Sequence, residues 1–242
     1  LNRGLLIACL GISLAAFGGE QAAEASLRNR VRGTVSVMGK PVAGASVTLW
    51  TTRGGQTPEQ VKAVRSKKDG SFALSVKPKN GTVHYLIASG GTVNNSNVDR
   101  LTMLTVLDGT ERGTAVINER TTVGSVWPNA QQLEGDQLIG STNALAIGSG
   151  HVKHLVDQRT GQFGETLLNG FNLLSSETAA RINVLSDLLA LCGDPTKERG
   201  CTQLFQLTGA TNSLDAMTNI AKLPWKNSGK LYKLFDKNYP LN

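Results

Sequence analysis

Aromatic residues are scarce in this chain, at 5% of 242 residues, and it holds only three cysteines and three histidines. Those cysteines and histidines show none of the clustered spacings of a closed zinc site. There is no Gly-x-Ser-x-Gly elbow, no His-Glu-x-x-His pair and no phosphate-binding glycine loop. Glu119, Glu134 and Asp136 read as ordinary acids. No catalytic residue, cofactor or metal is therefore expected. The aromatic residues do not interleave with Lys and Arg as a single-strand stacking platform requires, so nucleic acid is not an expected partner.

Long apolar runs are also missing. The longest stretch, Gly4 to Phe17, falls short of the about 20 residues that span a bilayer. It follows Arg3 and precedes Ala23-Glu24-Ala25, a small-x-small step before Ser26. This is the pattern of a cleaved secretory signal over residues 1–25, which predicts a secreted or periplasmic protein with no membrane span after cleavage. Leu6-Ile7-Ala8-Cys9 looks like a lipid-attachment box. However, Cys9 lies inside the apolar run, whereas an acylated cysteine follows it.

What remains is basic and glycine-rich. The net charge is +7, spread along the chain apart from Lys222, Lys226, Lys230, Lys233 and Lys237 near the end. A solvated face explains such charge; an anionic partner is the other reading. Cys192 and Cys201 flank the polar loop Gly-Asp-Pro-Thr-Lys-Glu-Arg-Gly. In an oxidising compartment an even pair around such a loop predicts a disulfide, contributing roughly 2–3 kcal/mol.

Two periods divide the chain. From Leu27 to Arg120 apolar residues alternate: Val31, Val35 and Val37, then Ala45, Val47 and Leu49, then Phe72, Leu74 and Val76. Turn signals separate the runs, at Gly39-Lys40-Pro41 with Gly44, at Lys68-Asp69-Gly70 as a type I′ hairpin, and at Lys79-Asn80-Gly81. From Thr121 to Phe235 the period is helical. Thr121 or Thr122, Ser176, Ser213 and Ser228 are the predicted N-caps, and Pro128 predicts a kink or early stop. The fold class is α+β by segments: an N-terminal antiparallel β-sandwich over 26–120, transthyretin- or immunoglobulin-like, then a small α-helical bundle over 121–242.

Val31-Arg-Gly33-Thr-Val35, Gly39-Lys-Pro41-Val-Ala-Gly44-Ala-Ser-Val47-Thr-Leu49 and Asp69-Gly70-Ser-Phe72-Ala-Leu74 come in order. Together they resemble the carboxypeptidase regulatory-like family, over roughly Val31–Gly90. That resemblance implies a transthyretin-like, non-catalytic domain of the kind appended to enzymes or surface proteins. Val116-Ile-Asn118-Glu119-Arg-Thr121-Thr122-Val123 is similar to a segment of large secreted bacterial proteins that carry NHL-type β-propellers. In these a sandwich leads through a helical spacer to the propeller. Ile182–Cys192, Cys201-Thr-Gln-Leu204-Phe205 and Leu214–Ala221 match the spacer, and no propeller repeat is present here. The resemblance implies the N-terminal stalk of a larger secreted protein.

The remaining candidates are few. His151 and His154 stand three apart on a predicted helix, with Asp157 three further on, the start of a metal-dependent hydrolase site. Gly148-Ser149-Gly150 is a flexible kink. Trp50, Trp127 and Trp225 read as core or interface packing, or as carbohydrate-stacking platforms. Trp50 is the candidate ligand contact, being out of phase with Val47 and Leu49 at a strand end. The expectation is a non-enzymatic binding or scaffold module whose partner is a glycan, a cell-wall polymer or another protein domain. A carbohydrate or cell-wall-binding module is the alternative.

Overall fold

A computed structural model describes residues 30–76, 81–107 and 113–239. The predicted leader, Cys9 and Lys79-Asn80 lie outside the described residues. Strands come first and helices follow. The strands are β1 (Arg30–Val37), β2 (Ser46–Thr52), β3 (Glu59–Arg65), β4 (Ser71–Ser75), β5 (Val83–Ser89), β6 (Thr102–Val106) and β7 (Gly113–Ile117). Alternation sets their faces: in β1 the side chains of Val31, Val35 and Val37 are buried, while Arg30 and Arg32 face solvent.

Two sheets result, ordered β7–β1–β4 and β3–β2–β5–β6. Every strand pairing among these is antiparallel except β1 with β7, which is parallel from Val31↔Gly113 to Val35↔Ile117. A parallel neighbour requires a crossover, and here the crossover contains all the intervening strands.

Two turns differ from the sequence expectation. The first is the pair Met38–Gly39, both at positive φ (51° and 71°), between Val37 and Lys40. Pro41 lies beyond it, opposite Ser36. Val42 N–H donates to the Val35 carbonyl at 3.0 Å, so Pro41 occupies a non-hydrogen-bonded position where its missing N–H is harmless. The second is Lys68-Asp69-Gly70. Of the three only Gly70 has positive φ (75°), so no type I′ turn forms. Gly70 N–H bonds the Lys67 carbonyl at 2.9 Å. The flanking strands β3 and β4 belong to different sheets, and the chain changes sheet at this corner. A Cβ on Gly70 would lie 2.4 Å from the Val35 carbonyl oxygen.

The main helices are α1 (Glu119–Asn129), α2 (Thr142–Leu155), α3 (Thr178–Ala190), α4 (Glu198–Thr208), α5 (Ser213–Lys222) and α6 (Ser228–Asn238). Among the described residues no helix is long and apolar enough to cross a membrane. The caps fall beside the predicted residues. Asn118, not Thr121 or Thr122, caps α1: its side chain accepts Thr121 N–H at 2.8 Å, and Thr121 Oγ1 accepts Asn118 N–H at 2.9 Å. Asn212 caps α5 by accepting Asp215 N–H at 3.0 Å, which leaves Ser213 as the first helical residue. Ser176 bonds back to the Asn172 carbonyl, and Glu177 precedes α3 without a side-chain cap bond. Ser228 likewise lies inside α6, after Asn227 in left-handed conformation. The α1 helix ends one residue past Pro128.

One connected set of buried residues runs from strands into helices, through Val35, Leu49, Leu104, Val123, Leu189 and Leu204. The joint lies on β6, the edge of the second sheet. Its outward groups meet helix hydroxyls instead of another strand. Leu104 N–H donates to Thr122 Oγ1 at 3.1 Å, and Val106 N–H donates to Ser125 Oγ at 3.0 Å. Thr102 N–H donates to Ser213 Oγ at 2.8 Å, and that hydroxyl donates to the Thr102 carbonyl at 2.7 Å. This explains why α1 and α5 bury polar residues: Thr122, Ser125 and Ser213 satisfy an edge that would otherwise leave orphaned backbone groups.

Candidate functional site

Cys192 follows α3 and Cys201 lies in α4; both are buried and joined as a disulfide, with Cα atoms 4.8 Å apart. The loop between them is organised by Asp194, whose carboxylate accepts the Thr196 N–H at 3.0 Å. Beside the bridge is a cleft of about 440 Å³, partly lined by Asp99, Arg100, Cys192 and Glu198. Arg100 spans it, 3.5 Å from the Glu198 carboxylate and donating to Thr202 Oγ1 at 3.0 Å. This arginine ties the loop before β6 to α4.

Trp50 on β2 is partly buried, on the face opposite Val47 and Leu49. Its ring lies nearly parallel to that of Tyr85 on the neighbouring strand, with an interplanar angle of 8° and centroids 6.2 Å apart. Tyr85 is fully buried, and its hydroxyl accepts Leu138 N–H at 3.3 Å. Burial pushes that phenol well above its ordinary pKa. Thr52 Oγ1 donates to the Leu138 carbonyl at 2.7 Å. The Trp50 face of the sheet thus meets the segment between α1 and α2. Trp127 and Trp225 are not core residues: they are 43% and 73% exposed. The reason is their placement, Trp127 on the outer side of α1 and Trp225 on the link between α5 and α6.

His151 and His154 are both exposed on α2, with ring centroids 6.1 Å apart. Each is engaged through Nδ1, His151 with the Ile147 carbonyl at 2.7 Å and His154 with Thr166 Oγ1 at 3.0 Å. Burial raises the Asp157 carboxyl, but bonds from Arg159 and Thr160 more than offset it and hold it below the ordinary range. Among the described residues no set of three His, Cys, Asp or Glu gathers as metal ligands. His84 on β5 is buried, and burial holds its imidazole below the usual value.

The structure also assembles a cluster that spacing alone does not reveal. Glu119, at the first position of α1, accepts the Met38 N–H of the β1 turn. Burial pushes its carboxyl up, partly offset by that bond. Asp187 on α3 is likewise raised by burial. The Tyr239 phenol is raised by burial and by the nearby Asp187, Asp194 and Glu119 charges. Lys197 sits 3.5 Å from the centre of the Tyr239 ring and donates to the Asn238 carbonyl at 2.8 Å. Arg120 lies 4.6 Å from the Phe163 ring centre and donates to Gln162 Oε1 at 2.7 Å. These contacts join a turn of the first sheet to three helices, and their sequence positions are far apart.

Several large side chains project into solvent. On two short helices, Glu165–Leu168 and Gly170–Ser175, Phe171 is 78% and Leu174 90% exposed. No protein-family model matches the chain, and no curated protein matches it.

Proposed function

We propose that this chain is a non-enzymatic, extracytoplasmic binding or scaffold module. In this reading the strand region is a transthyretin-like β-sandwich of the carboxypeptidase regulatory-like kind. The helical region is a small bundle that spaces it from a further domain, as the N-terminal stalk of a larger secreted protein. The observation that carries the proposal is the set of large apolar and aromatic side chains left in solvent: Phe171 and Leu174 on the short helix Gly170–Ser175, and Trp225 on the link between α5 and α6. Phe171 and Leu174 stand three apart on one helix and so share a face, and contiguous exposed apolar surface marks an interaction site. The disulfide supports an oxidising compartment.

The test has two arms. Fractionation of expressing cells should place the protein outside the cytoplasm with Cys192 and Cys201 oxidised. A panel of glycan, peptide and ester substrates should show no turnover. Turnover abolished by His151→Ala or His154→Ala would instead establish the hydrolase alternative.

A carbohydrate or cell-wall-binding module is the second reading, favoured by exposed Trp225 beside Lys226. Binding on a glycan array that is lost in Trp50→Ala would place the contact at the β2 face, whereas a flat array would remove this reading.

A further inference from the structure

The lysines near the end of the sequence are not scattered over a convex surface. Lys230, Lys233 and Lys237 lie on one side of α6 and line a groove of about 380 Å³ whose other wall is α4, with Gln203 and Gln206. Leu207 continues that wall into a second hollow of about 330 Å³ between α4 and α5, lined by Lys222, Lys226 and Asn219. Leu207 lines both hollows, which therefore adjoin along α4. Lys226, Lys230, Lys233 and Lys237 are exposed and make no ion pair among the described residues. Lys222 is the exception in its bonding: its ammonium is held by the Leu133 carbonyl at 2.6 Å. Asp236, the acid of α6, is not among the lining residues.

We propose that these adjoining hollows act as one channel that binds a linear acidic polysaccharide, its carboxylates on Lys226, Lys230, Lys233 and Lys237 and its hydroxyls on Gln203 and Gln206. Charge complementarity is the first argument: a row of unpaired ammonium groups in a concave site focuses potential on an anionic occupant. Spacing is the second. Successive lysines on α6 rise along the helix axis by about 5 Å, a step of the order of one sugar ring. The third is the chemistry of the walls. Lysine is a point charge suited to scattered carboxylates, and neutral amides donate to and accept from hydroxyls. The lining residues include no aromatic ring, so bases have no stacking surface as single-stranded nucleic acid requires.

This inference rests on reading the chain as a binding module and gives that module a ligand class. The test uses the full disulfide-bonded chain and measures affinity for polygalacturonate, dextran, single-stranded DNA and anionic phospholipid vesicles over a salt series. Polygalacturonate should bind best, more weakly as salt rises. The triple variant Lys230→Gln/Lys233→Gln/Lys237→Gln should lose about tenfold in affinity or more, with unchanged melting temperature. A control triple, Lys40→Gln/Lys67→Gln/Lys68→Gln, removes the same charge from exposed turns of the strand region and should bind as the parent does. Equal loss in both triples, absent polygalacturonate binding, or tighter binding to DNA or vesicles would overturn the proposal. Dextran binding alone would overturn the channel and leave the binding module standing, whereas substrate turnover would remove the module itself.

Discussion

The Ser213 hydroxyl holds both backbone groups of Thr102, accepting its N–H at 2.8 Å and donating to its carbonyl at 2.7 Å. One side chain at the start of α5 thus takes the place of a neighbouring strand. Ser213→Ala removes both bonds at a buried site and should cost about 1–3 kcal/mol. Urea unfolding should show the loss as a lower midpoint. An unchanged midpoint would mean that Thr102 finds other partners.

The Cys192–Cys201 bridge links α3 to α4. Replacing both cysteines with Ala should cost roughly 2–3 kcal/mol on the chain-entropy model. The same fall in melting temperature should follow mild reduction of the parent protein, and reduction should leave the double variant unaffected.

Glu119 sets a direction for pH dependence. Its folded pKa is raised above the ordinary 4.5 by burial. Its stabilising contribution is therefore complete below that value and is lost as pH rises through the folded pKa. Asp187, also raised, acts in the same direction. Glu119→Gln keeps an acceptor for Met38 N–H while removing the buried charge. It should be at least as stable as the parent at neutral pH and show a shallower decline from acid to neutral conditions. Denaturant titrations across that range read this out, and an unaltered slope would count against it.

Gly70→Ala faces two penalties, a left-handed φ of 75° and a Cβ 2.4 Å from the Val35 carbonyl oxygen. The variant should lose more than about 1 kcal/mol, while Gly39→Ala, at φ 71° with open space around it, should lose less. Comparing their thermal midpoints separates crowding from backbone preference.

Trp50→Ala should destabilise the fold by about 1–3 kcal/mol, from lost area and lost stacking on Tyr85. Calorimetry run alongside glycan binding distinguishes the two roles, since a purely structural Trp50 changes the melting temperature alone.

Strand and helix identity was readable because burial imposes period two on β1 and β4 and helical spacing on α3. Sheet membership was not: Lys68-Asp69-Gly70 has the composition of a hairpin, and only tertiary pairing sends β3 and β4 to different sheets. The same holds for Ser213. A serine before an apolar helical run reads as an N-cap, and nothing local says that Asn212 takes that role while Ser213 turns to a strand far away in sequence. Trp50 lies out of phase with Val47 and Leu49, but the strand runs on to Thr52 rather than ending at it, and its parallel partner on β5 depends on register. Glu119, Asp187 and Tyr239 come together only through packing of α1, α3 and the end of α6, so no spacing pattern announces them. The lysines were visible as a run; what the sequence alone does not show is the opposite wall supplied by α4.

With β6 occupied by serine and threonine hydroxyls, the second sheet has one edge strand without a strand or helix-hydroxyl partner among the described residues. That strand is β3, where Glu59, Lys62 and Arg65 are all exposed. Among the described residues, strand addition to this sheet by a partner or another copy is therefore confined to β3, where mixed charge guards against self-association.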